Sequence, residues 1–195
     1  MVNVLVRQWH RASRVRHEYF GAATAPSVAD VEGEIWTPGV DADTWGREVA
    51  YNTALLEQYK LYVEMADRIS ARRGLTNTFF LTLNTAVVTV VGGVAKERSG
   101  APDWLLLFPL FALLLQCLAW YWLVRSYRQL NAGKYVVIGA IEQRLPAGPY
   151  WRAEWAALGR GEAPSRYLPM THVEQLIPML FASTYVAGFI ALLAS

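Results

Sequence analysis

The chain of 195 residues has one cysteine, Cys117, and three histidines, His10, His17 and His172. A single thiol excludes an intrachain disulfide, and so sparse a set of Cys and His offers no zinc-ligand spacing. The sequence contains no HExxH, no GxSxG and no Gly-rich phosphate loop, the short motifs that carry metal, nucleophile and phosphate chemistry. Catalytic residues, metal and cofactor are therefore all expected to be none, and the chain reads as a non-enzyme. A net charge of +2 lacks the clustered basic face that a nucleic-acid partner needs. Asp41 and Asp43 share a turn, where acids are ordinarily solvated rather than metal-bound.

The absence that says most is that of charge along whole segments. Leu75–Ala95 and Trp104–Val124 contain no Asp, Glu, Lys, Arg or His. About twenty helical residues cross roughly 30 Å of hydrocarbon, and an unpaired charge buried there costs several kcal/mol. Only Lys96 to Asp103 separates the two runs, so spans at 75–95 and 104–124 are expected to form a tight hairpin. Nothing after Glu174 is charged, and residues 171–195 read as a third span. Thr171 and Glu174 have capping-box spacing at its start, and Pro178 is placed to kink it. The expected class is an all-α integral membrane protein: a transmembrane helical hairpin extended into cytoplasmic helices, with a third, C-terminal span.

Basic residues set the orientation. Arg68, Arg72 and Arg73 precede the first span, Arg125, Arg128 and Lys134 follow the second, and the connecting loop has Lys96 and Arg98. This excess places both large polar regions and the N-terminus in the cytoplasm, and the C-terminus outside. Trp120, Tyr121 and Trp122 would then join one interfacial aromatic belt and Trp104 the other. At the N-terminus, Arg7, Arg11, Arg14 and Arg16 lie among Val4, Leu5 and Trp9, the composition of a segment touching anionic headgroups. The apolar run Val2–Val6 is too short for a signal-peptide core. The rest of residues 1–50 holds turn formers without a sustained period, which reads as a loosely ordered arm.

Residues 51–74 read as a helix running into the first span. Leu55, Tyr59, Tyr62, Ala66 and Ile69 are spaced alternately by four and three, the period of a coiled-coil seam, and Leu56 and Val63 widen the stripe. The seam must be buried on the chain's own second polar helix, between subunits, or in both ways at once. Glu64 and Arg68 stand at i,i+4 in the favourable order. The second polar helix is expected over 125–146, with Val137, Ile138, Ile141 and Leu145 on one face and Pro146 and Gly148 as its stop. Glu142 and Glu154 are expected in ion pairs with Arg128 or Arg144. Residues 147–170 form a linker holding a short amphipathic helix with Trp151, Trp155 and Leu158 on one side, closed by Gly159. Those tryptophans have two destinations, the membrane interface or the helical pair.

In the first span Thr78, Thr82, Thr85 and Thr89 repeat at four, three and four residues, with Asn77 and Asn84 flanking them and Gly92 and Gly93 following. Lipid-facing amides are disfavoured, so this face is expected to meet protein or water. Close helix packing and a polar lining for a conduit are both open. Gln116 is placed to pair with an amide of the stripe or with a second subunit. A hairpin plus one helix has too few walls to enclose a pore, so a lining role requires a ring of copies closing on itself.

Three blocks in order carry a family resemblance: LLEQYKLYVEMADRISARRGLTNTFFLTLNTA (Leu55–Ala86), SYRQLNAGKYVVIGAIEQRLP (Ser126–Pro146) and YLPMTHVEQLIPMLF (Tyr167–Phe181). They resemble the RipA-family octameric membrane proteins of bacteria over about Leu55 to Ala194. A more distant similarity is to the two-helix SLATT modules, proposed to form pores. The resemblance implies a homo-oligomer, an octamer, in the bilayer of the bacterial inner membrane, with self as its partner and no catalytic residues to transfer. Glu64, Asp67, Arg68, Tyr127, Arg128 and Asn131 are its motif positions on the cytoplasmic helices. Two functions follow as expectations: a pore or regulated membrane assembly, or a non-conducting scaffold or sensor acting through those helices.

Overall fold

The computed structural model describes residues 26–44, 48–96, 103–161, 165–167 and 170–193. Every regular element among them is helical. The basic leader with His10 and His17, the loop residues Glu97 and Arg98, and the side chains of Lys96, Thr171 and His172 lie outside what is described.

A short helix α1, Val28–Ile35, comes first. Two long helices, α2 (Glu48–Lys96) and α3 (Leu107–Glu142), form the hairpin, and α4 (Met170–Leu193) is the third candidate span. All three are long and apolar enough to cross a membrane. At 49 residues, α2 is about 74 Å long by helical rise. It passes from polar sequence into the first span without a break, since Gly74 is the weakest helix former near that boundary and one glycine weakens a helix by only about 1 kcal/mol.

Four contacts fix the antiparallel register of α2 and α3. The Tyr59 hydroxyl donates to Glu142 Oε1 at 2.9 Å, Asn131 Nδ2 to Ser70 Oγ at 3.2 Å, and Trp120 Nε1 to Asn77 Oδ1 at 2.9 Å. The Cys117 thiol faces Asn84 Oδ1 at 3.9 Å. Numbers rise on one helix as they fall on the other. Helix α4 runs parallel to α2: Arg73 Nε pairs with Glu174 Oε2 at 3.1 Å, and further along the Tyr185 hydroxyl donates to Asn84 Oδ1 at 2.6 Å. Between these levels Phe80, Trp120 and Val124 form a buried cluster completed by Ile177 and Phe181 of α4. The Trp120 ring stacks on Phe80 at 5.6 Å and is 0% exposed.

Several expectations are corrected. The seam residues Leu55, Ala66 and Ile69 are buried within the single chain, and Tyr59 and Tyr62 are half-buried. The chain's own α3 closes this seam, so its burial does not call for a neighbour. Trp120 belongs to the core rather than the interfacial belt, because Asn77 takes its indole N–H inside the bundle. Helix α3 ends at Glu142, before Pro146, where the Glu142 side chain caps the next turn. Helix α4 already includes Thr171, whose side chain lies outside what is described, and Glu174 pairs with Arg73 of α2. Pro178 lies inside α4 and is fully buried.

The arm also contains more order than its turn formers imply. Ser27 and Asp30 make a reciprocal capping box at the start of α1, with Ser27 N–H donating to Asp30 Oδ2 at 2.7 Å. These bonds hold the Asp30 carboxyl below its ordinary pKa. Val28, Val31 and Ile35 then cover Val136 and Ala140 of α3. That extra contact explains why α3 is buried on a wider face here than a single 3.6-residue stripe requires.

Candidate functional site

The first span divides into two faces. Asn77 and Asn84 point into the three-helix core, Asn84 with 0% exposure and its Nδ2 donating to the Phe80 carbonyl at 2.7 Å. Thr78, Thr82, Thr85 and Thr89 are all exposed on the outside of the protomer. The reason is local geometry. Successive helical residues point about 100° apart, so Thr78 and Thr85 cannot share the direction of the asparagines beside them. Three hydroxyls donate to their own helix: Thr78 to the Gly74 carbonyl at 3.1 Å, Thr85 to Leu81 at 2.9 Å and Thr89 to Thr85 at 2.8 Å. Each hydrogen is thereby satisfied, and the oxygen keeps acceptor capacity toward the outside.

The asparagines extend a series that sequence reading found only in part. Ser70, Asn77 and Asn84 recur every seven residues, about 10.5 Å apart by helical rise, and each makes a polar contact across the bundle. A polar residue repeated at one seam position fixes register. Among the described residues Gln116 takes no part in it: its Nε2 is enclosed without a hydrogen-bond partner there, and the neighbouring Cys117 faces Asn84 instead.

At the boundary of the span, Arg128 donates to Gln175 Oε1 at 3.1 Å beside the Arg73–Glu174 pair. Of the six motif positions, the structure therefore sets Arg128 against α4 and Asn131 against α2. Glu64 and Arg68 form an exposed ion pair at 2.7 Å on α2, Asp67 is exposed near them, and Tyr127 is half-buried on α3. They do not converge on one point.

Glu142 carries the strongest polar constellation, although it is not one of the six motif positions. Its carboxylate is 3% exposed and accepts from the Tyr59 hydroxyl and from the backbone N–H groups of Tyr150 and Trp151, each at 2.9 Å. The arginine pairing expected for it is replaced by these three donors. The two amides open the helical turn Pro149–Glu154, where a carboxylate is favoured by the exposed N–H groups. Burial, followed by the bond to Glu142, pushes the Tyr59 phenol well above its usual range, so it stays protonated as the donor. Trp151 is thereby laid on α3: a methyl group at Gly139 would meet its ring at 2.7 Å. Gly139 lies fourteen residues beyond Arg125, about 21 Å along α3, so Trp151 covers the helical pair rather than the membrane interface. Gly159, with φ of +75°, closes this segment as expected.

Among the described residues no group of three or more His, Cys, Asp or Glu is placed to hold a metal ion. Asp41 accepts from Thr44 N–H at 2.8 Å and closes its own turn. What the arrangement offers is a bundle fixed from within and a polar face left outside. Residues 56–194 match the model of the octameric membrane protein family (8xMP). The chain belongs to that family. No curated protein and no solved structure matches it. As a member, the chain is a membrane protein that assembles with copies of itself, and its outward faces become candidate subunit contacts.

Proposed function

We propose that copies of this chain close into a ring of membrane helices that encloses a water-accessible path, with the threonine face of α2 toward the axis. The observation that carries the reading is the split of the first span, amides inward and Thr78, Thr82, Thr85 and Thr89 outward. Beyond the span the same side of α2, opposite the seam, continues as exposed Glu57, Lys60, Glu64 and Arg68, interrupted by Leu75 at the boundary. One side of a single helix is thus hydroxyl-bearing at membrane depth and charged outside it, the sequence of surfaces a hydrated path has. Outward hydroxyl oxygens acting as acceptors favour water and cations over anions. The likeness to RipA-type sequences and the distribution of Lys and Arg support a bacterial inner membrane, with N-terminus and polar helices cytoplasmic and C-terminus outside. The reading assigns the protein no catalysis.

The test is conductance of the purified oligomer in planar bilayers. Wild type gives discrete current steps with cation-selective reversal potentials. Thr82→Leu with Thr85→Leu reduces the current by about tenfold or more, because leucine removes the acceptors and narrows the path. A silent wild-type ring of intact subunit number, or an unchanged current in the double variant, overturns the reading.

A further inference from the structure

The exposed apolar side chains of this protein fall into two groups. Within the spans, Phe79, Leu81 and Val90 are open in the protomer, but acyl chains cover such residues whatever the assembly. Outside the spans no lipid is available. There Leu61 is 56% exposed, Met65 39% and Leu56 42%, although Leu61 lies fourteen residues before Leu75, about 21 Å from the hydrocarbon by helical rise. Apolar side chains in water at that height are informative about a protein partner.

Their placement on α2 has two sides. Leu61 and Met65 are one turn apart, each one residue before a seam position, Tyr62 and Ala66. Leu56 and the half-buried Val63 each follow a seam position, Leu55 and Tyr62. At about 100° per residue the two sets flank the seam on opposite sides of the hairpin. The helix α1 packs on Val136 and Ala140 of α3, and neither flank belongs to that cluster. Between the flanks, facing away from the seam, the surface is charged and self-paired: Lys60 with Glu57, Arg68 with Glu64. A ring of identical subunits joins head to tail and so needs two different patches on opposite sides of each copy.

We infer that Leu61 and Met65 of one subunit seat against the Leu56–Val63 flank of the next, forming the extramembranous joint of the oligomer. The occupant of each flank is a second copy of this chain. The inference rests on self-association and not on conduction. It leaves the charged strip Glu57–Lys60–Glu64–Arg68 unburied by the joint, on the side proposed above to face the axis.

The test uses the full chain in bacterial membranes, expressed as two differently tagged copies, with the photo-cross-linker p-benzoylphenylalanine at position 61 or 65. Irradiation yields covalent multimers containing both tags, with adducts mapped by mass spectrometry to the neighbour's residues around Leu56 and Val63. The same probe at position 60 yields about fivefold less adduct, as a residue outside a buried contact should. Leu61→Glu with Met65→Glu raises the subunit concentration at which the oligomer dissociates by about tenfold or more, with helical content unchanged because both side chains are exposed in the protomer. Adducts to residues 1–25 of the same chain, adducts to a different protein, or an octamer by native mass spectrometry without adducts at 61 and 65 each overturn the joint. Loss of current with cross-links intact overturns the pore and leaves the joint standing.

Discussion

The same two helices meet in two ways along their length. Inside the spans α2 and α3 are joined by Asn77 to Trp120, Asn84 to Cys117, and a stack of aromatic rings. Outside them they are joined by Leu55, Ala66 and Ile69, with Glu142 gathering three donors at the far end. The solvent accounts for the difference. Acyl chains are as apolar as leucine, so helices in a bilayer gain little from leucine-to-leucine contact and associate through packing and hydrogen bonds. In water the apolar stripe supplies the driving force, and buried polar groups serve to fix one arrangement.

That contrast can be broken at graded points. Trp120→Ala has the largest expected effect, about 3–5 kcal/mol, from the cavity left by a fully buried aromatic ring between α2, α3 and α4. Thermal unfolding in detergent measures it, and a loss below about 1 kcal/mol would mean that the cluster is not the keystone of the membrane half. Glu142→Ala comes next, at roughly 2–4 kcal/mol, since it leaves three donors without their acceptor. Proteolysis of the 149–161 segment checks it: cleavage there should accelerate while the spans stay protected. Glu64→Ala is the smallest, about 0.3–0.5 kcal/mol, because an exposed i,i+4 pair contributes little. A larger loss of stability in the assembled protein would place Glu64 in a subunit contact and contradict its assignment to the open strip.

The spans and the continuous helices were legible because charge exclusion and helical period are properties of a segment by itself. The seam was legible as a pattern, but its partner was not. A 4-3 spacing states that Leu55 and Ile69 must be covered without saying by what, and α3 proved to be the cover. Nearness in sequence groups Asn77 and Asn84 with the threonines, whereas the turn of about 100° between adjacent residues sends them to different faces. Glu142 is assigned an arginine partner by sequence, whereas its actual partners Tyr59, Tyr150 and Trp151 come from two other segments, and two of them are backbone amides that no side-chain pattern records. The helix α1 was hidden by its length: eight residues among turn formers show no sustained period, and its stability comes from the capping box and from Val136 and Ala140 beneath it.

The unbroken course of α2 has a mechanical consequence. Tyr59, clamped to Glu142, and Thr85, at membrane depth, belong to one helix with no hinge between them, about 39 Å apart along its axis. Such a helix behaves as a drive shaft: its ends cannot turn independently without breaking backbone hydrogen bonds between them. A twist applied to the outer part, where subunits meet, therefore arrives at the threonines as a twist of the same sense.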